Sequence, residues 1–147
     1  MHEDAVIQAA SLIGEQYIII IRENREDFGS KFTLDSLTDI ARDNFKKGAT
    51  DTFLSQPISV KINGYPARQF ETSGEVDNIK VKYLYAIIET PQNYYQIITW
   101  TLSSKFDKNK SIFSEVINSF KEFGYGDSSS SSPNSSSSSN LNSDTKK

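Results

Sequence analysis

The chain has 147 residues, a formal net charge of −3, one histidine and no cysteine. That length allows one domain, and the missing cysteine excludes disulfides, thiolate nucleophiles and zinc–cysteine sites. The mildly acidic balance also lacks the basic stripe that a nucleic-acid binder carries.

From the N-terminus, residues 5–13 fit two descriptions. Val6, Ala10 and Ile13 fit a helical stripe, while Ala5, Ile7, Ala9, Ser11 and Ile13 fit one face of a strand. Gly14 suits a helix end or a hairpin turn, so periodicity alone leaves both open. Residues 17–21, inside QYIIIIR, are a short β-branched run bounded by polar residues, which predicts a central strand covered on both faces. Residues 33–47 predict a helix: Leu34, Leu37, Ile40, Ala41 and Phe45 recur at three- and four-residue steps. Thr33 can cap it, Asp35 and Lys46-Lys47 suit the two poles of its dipole, and Gly48 can end it.

Antiparallel sheet follows. In residues 58–62 the alternation points Ile58, Val60 and Ile62 inward and Ser59 and Lys61 outward. Asn63-Gly64 is a two-residue hairpin signal, because both turn positions need positive φ. The return strand is expected over 65–73, with Pro66 near its start where a missing N–H is tolerated, and a turn over 74–78. Strands at 79–89 and 94–103, joined by Pro91-Gln92-Asn93, are apolar on both faces in their middles and require cover on each side. A closing helix is expected over 109–123, with Asp107 or Asn109 as its cap and Gly124 as its stop. Its face is Ile112, Phe113, Val116, Ile117 and Phe120. The fold class is therefore α+β, an antiparallel sheet with helices on both faces, as an α/β/α sandwich.

Residues 1–126 make up this domain. Residues 127–147 hold 11 serines and no aromatic residue, a composition that cannot bury enough apolar area to order itself, so a disordered Ser/Asn-rich tail is expected. No run approaches the roughly 20 apolar residues of a transmembrane span. The opening MHEDAVIQAA has neither the basic nor the apolar region of a signal peptide.

No catalytic, cofactor or metal constellation stands out. His2 has no partners at ligand spacing. Glu23, Glu26, Asp27 and Asp35 offer oxygen ligands in a loop without the calcium-loop pattern. Glu71, Glu75, Asp77 and Glu89 sit near turns or strand ends, where nothing fixes an acid/base pair across a cleft. The aromatics Tyr65, Tyr83, Tyr85, Tyr94, Tyr95 and Trp100, interleaved with Lys80, Lys82 and Arg68, fit cross-strand packing or a stacking platform. The candidate partner-binding patch is Tyr94 and Tyr95 beside the Pro91 turn, with Tyr65 and Arg68.

The segments QYIIIIRENREDF, INGYPARQFE, YYQIITWTLSSKF and NSFKE, with a helix beginning Thr33-Leu34, resemble the PsbP-like fold. The likeness is to the domain found in uncharacterised lipoproteins of Gram-positive bacteria. It covers residues 5–122, and its most specific pieces are the turn from Ile62 to Gln69 and Trp100-Thr101. The resemblance implies that residues 5–13 are a strand pairing with 17–22. Domains of that family begin earlier, with a signal peptide, an anchoring cysteine and a first strand pair. None of these is matched here, so a sheet short of its first strands and a missing N-terminal lipid anchor are expected. The fold also serves as a photosystem II accessory subunit and a nuclear import factor. The implied role is a non-enzymatic binding or accessory domain of an extracytoplasmic or cell-surface lipoprotein, taking a protein or envelope ligand and no nucleic acid. The alternative is an intracellular protein-interaction module of the same fold.

Overall fold

The structure is a computed structural model and describes the backbone of residues 4–10 and all of residues 16–122. His2, Ile13, Gly14, Gly124 and the serine-rich tail lie outside the described residues.

Seven strands fill six positions of an open antiparallel sheet: β1 (Asp4–Ala10), β2 (Tyr17–Asn24), β3 (Thr50–Leu54), β4 (Ile58–Ile62), β5 (Tyr65–Val76), β6 (Ile79–Glu89) and β7 (Asn93–Leu102). The order is β1-β2-β7-β6-β5, and the far edge of β5 is shared by β3 along one half and β4 along the other. Residues 4–10 are thus a strand, with Ala5 opposite Ile21 and Ala10 opposite Tyr17. The helices are α1 (Leu34–Gly48) and α2 (Phe106–Asn118).

Because side chains alternate along a strand, one register defines two cores. Phe70, Tyr85 and Ile87 point to the α1 face with Tyr94, beneath Leu34, Leu37 and Ala41. Ala67, Leu84, Ala86, Ile88, Tyr95 and Ile97 point to the other face, beneath Phe106, Phe113 and Ile117 of α2. This is the two-sided cover that the apolar middles of β6 and β7 require. Each large α2 side chain in that core contributes about 1.5–3 kcal/mol by leaving water.

Helix α1 begins as its sequence dictates. Thr33 caps it, its hydroxyl accepting from the Ser36 N–H, while Ser36 Oγ accepts from the Thr33 N–H. Thr38 rather than Ile40 fills the inner stripe: Thr38 is buried, its hydroxyl donating to the Leu34 carbonyl at 2.8 Å, and Ile40 is exposed. Gly48 is still helical and has no positive φ, so it is not the left-handed stop expected of it.

The closing helix starts earlier than its apolar stripe suggests. A 3-10 turn at Ser103–Lys105 leads straight from β7 into α2, because the Phe106 ring belongs in the core, where it is 1 % exposed. No side chain caps this helix. Asn109 is instead buried inside the first turn, donating from Nδ2 to the Lys105 carbonyl at 2.9 Å and accepting from Gln16. Ile112 lies on the outer side of α2 and Ile58 on the outer margin of β4, both exposed rather than inward as their spacing predicts.

Strand β5 runs past Gly74 to Val76, and the turn into β6 is Asp77-Asn78, with φ of 52° and 67°. Gly74 is needed for closeness, since a Cβ there would sit 3.0 Å from the Thr50 carbonyl oxygen and 3.3 Å from Ala49 Cβ. The tight corner between α1 and β3 depends on that missing carbon.

Candidate functional site

The four residues of the expected patch do not form one surface. Tyr94 and Tyr95 are consecutive on β7 and therefore point to opposite faces. Tyr94 and Arg68 lie on the α1 face, and Tyr95 and Tyr65 on the α2 face, with Tyr94 2 % and Tyr95 9 % exposed. Arg68 is engaged by Asp35 of α1, Nε to Oδ1 at 2.7 Å.

These tyrosines anchor two clamps on the β6–β7 turn. On the α1 face, Arg25 lies over the Tyr94 ring at 5.4 Å and donates to the Thr90 carbonyl at 2.8 Å, with Glu89 Oε2 3.4 Å away. Phe28 and Phe32, stacked at 4.2 Å, meet the same ring edge-on. On the α2 face, residues 119–122 run as a strap across the end of the sheet. Phe120 packs on Tyr95 and Tyr65, with ring centroids 4.7 and 5.8 Å apart. Glu122 Oε2 accepts from Tyr95 Oη at 2.8 Å, Asn93 Nδ2 at 2.8 Å and Thr90 Oγ1 at 3.0 Å. Burial first, then donation to Glu122, pushes the Tyr95 phenol well above its ordinary range. Burial likewise raises Tyr94, against the nearby Arg25 charge.

The carboxylates are dispersed. Glu71 is held by Lys110 at 2.6 Å and Lys82 at 3.7 Å, and Glu75 stands opposite Lys80 in the β5–β6 ladder. Glu23 is buried on the α1 face of β2, while Glu26 and Asp27 lie in an exposed 3-10 turn. Among the described residues, no three metal-ligating side chains converge.

The surface best built for contact was not singled out from the sequence. Helix α1 lies over β5, β6 and β3, and among the described residues no helix covers β2 on the same face. There Tyr17, Ile19 and Ile21 of β2 and Trp100 of β7 are only half-buried, and Ile98, also half-buried, packs against the rim of the α1 core. Tyr17, Trp100 and Tyr83 form a stacked ladder across three strands, each neighbouring pair of centroids 5.4 Å apart. Near-parallel at that separation, the rings are offset-stacked, each covering part of its neighbour's face. Ile40 borders this open half: it is about 200° around the helix from Arg42, whose guanidinium reaches the Ser55 carbonyl on the opposite, β3 side. Among the described residues, no helix is long and apolar enough to cross a membrane.

No protein-family model and no curated protein matches the chain. Solved structures do. Protein PA94 from Pseudomonas aeruginosa superposes with a TM-score of 0.64 at 11% identity, over 84% of each chain. The solution structure of the cyanobacterial PsbP, CyanoP, from Synechocystis sp. PCC 6803 gives 0.62 at 18% identity, over 81% of this chain and 75% of that one. LpqN of Mycobacterium tuberculosis, a protein involved in cell envelope biogenesis, gives 0.58 at 14% identity, over 76% of this chain and 64% of LpqN. At these identities the likeness speaks to architecture, and the architecture is that of the PsbP-like fold.

Proposed function

We propose that this chain is a non-enzymatic binding domain of an extracytoplasmic protein, and that the open half of its α1 face takes an amphipathic helix of a partner protein. The observation that carries the reading is the half-buried row of Tyr17, Ile19, Ile21 and Trp100, with Ile98 at the rim of the α1 core, which no helix among the described residues overlies, beside a helix that covers the rest of the same face. The row lies on two neighbouring strands, β2 and β7, about 10 Å at the usual strand spacing, which matches the ~10–12 Å diameter of one helix. Ring edges and isoleucine methyls form ridges that accept side chains at three- and four-residue spacing. The likeness to LpqN, a protein involved in cell envelope biogenesis, supports the extracytoplasmic setting.

The test is a photo-crosslinker placed at Ile98 in the source cells, with the same group at Phe53 as the control, since Phe53 is exposed at the sheet margin on the other face. The reading expects a partner segment with helical apolar spacing crosslinked from Ile98 alone, and lost on Trp100→Ala without a change of fold. Equal products from both positions, or none, would defeat it. Fractionation of the same cells separates the settings. Native protein heavier than this chain and carrying lipid supports a surface lipoprotein, and a soluble cytosolic species supports an intracellular interaction module.

A further inference from the structure

The Asn63-Gly64 turn holds more than its own hairpin. Both residues are exposed, with φ of 50° and 86°, and the ladder closes at Ile62 and Tyr65, so the Gly64 N–H belongs to no strand pairing. Asn63 Nδ2 donates to the carbonyl oxygens of Asn118 at 3.2 Å and Phe120 at 2.5 Å. Only an amide nitrogen can serve two carbonyl oxygens there, because a carboxylate offers acceptors alone. These bonds tie the strap of residues 119–122 to the end of the sheet, where it carries Phe120 and Glu122 against Tyr95.

We propose that Asn63 is a site of spontaneous, enzyme-independent conversion to aspartate and isoaspartate, and that this conversion releases the strap. Asparagine followed by glycine occurs once in the chain. Glycine has no Cβ to obstruct its backbone nitrogen as that nitrogen approaches the neighbouring side-chain carbonyl. By contrast Asn24, Asn78 and Asn93 are followed by Arg25, Ile79 and Tyr94, whose side chains crowd the same approach. In the reaction the Gly64 nitrogen forms a bond to Asn63 Cγ and gives up its proton, the Cγ–Nδ2 bond breaks, and Nδ2 leaves as ammonia. Water then opens the five-membered imide at either carbonyl, giving aspartate or isoaspartate. The chemistry needs only water, and no metal, oxidant or reductant. The product carries a carboxylate where a donor stood, so two hydrogen bonds to carbonyl oxygens become two repulsive contacts. Isoaspartate also lengthens the backbone within a turn that depends on two positive φ angles. Release of the strap uncovers Tyr65 and Tyr95 at the margin of the core beneath α2.

The experiment ages the full chain at mildly alkaline pH and maps the products by mass spectrometry, with hydrogen exchange read across residues 119–122. The expected result is a gain of about 1 Da confined to the peptide bearing Asn63, with both isomers present. Strap amides should then exchange about tenfold faster in the converted protein. Asn63→Asp should reproduce the faster exchange. Asn63→Gly, which keeps the turn and loses the donor without adding charge, should fall between it and the starting protein. The site is refuted if Asn63 survives while other asparagines convert. The release is refuted if converted protein and Asn63→Asp both exchange at the original rate. Should Asn63→Asp fail to fold, the aged chain alone decides the matter.

Discussion

The two faces of the sheet are made from the same strands and differ in what covers them. On the α2 side, Leu84, Ala86, Ile88 and Ile97 meet Phe106, Phe113 and Ile117, and the strap closes the end, so these residues are almost wholly buried. On the α1 side, cover stops partway, and beyond it isoleucines and a three-ring ladder stay half-buried. Burial in this fold is therefore decided by where a helix lands and not by strand composition. Ile98 is as apolar as Ile97, yet Ile97 is sealed and Ile98 is not.

Substitutions on the two sides should separate accordingly. The largest loss is expected from Phe113→Ala, about 3–5 kcal/mol in urea unfolding, because that ring is wholly enclosed. A loss near 1 kcal/mol would mean that the α2 side is no better packed than the other.

Tyr95→Phe should cost about 1–2 kcal/mol at neutral pH through the lost hydrogen bond to Glu122. It should also change the alkaline limb. The folded-state pKa of Tyr95 is raised above its unfolded value by burial and by Glu122. Its contribution is thus fully present below pH ~10 and is lost as pH climbs above that, where the unfolded chain releases the proton first. The variant's stability should fall less steeply in that window. Tyr85, raised by burial on the α1 side, provides the counterpart, and Tyr85→Phe should flatten the same limb. An unchanged slope in both variants would show that neither phenol is held as described.

The smallest effect is expected from Ile40→Ser on the flank of the open half, within about 0.5 kcal/mol. A cost above ~1.5 kcal/mol would mean that Ile40 is covered and that the open half is smaller than described.

Much of the architecture was legible because its local rules are strong. Two positive-φ positions mark Asn63-Gly64 as a hairpin, and β6 and β7 announce cover on both sides through apolar residues on both faces of their middles. The misses have physical causes. Gly74 reads as a turn former, but its place in β5 answers to a backbone from another element, which no local pattern reveals. Of the expected turn over 74–78 only Asp77-Asn78 turns, two residues that also tolerate positive φ. Strand β3 has a bulge with φ of 51° at Asp51, so TDTFL never shows clean alternation. The candidate patch fails on strand geometry alone, since neighbours on a strand cannot share a face. The open half of the α1 face was hidden for another reason, because the helical stripe of α1 gives its inner side but not which strands lie beneath it.

The divided margin beside β5 has a consequence for how molecules of this protein meet one another. A continuous strand there would present an unbroken row of unpaired amides and carbonyls, a template on which a second chain could zip. Here the row is interrupted at Asp51 by the bulge and again at residues 55–57, where Ser55 turns back to Glu71 and Pro57 has no N–H to offer. An incoming strand finds only short footholds before its register fails, so the molecule can leave Phe53 and Ile58 in the open at that margin without inviting fibril growth.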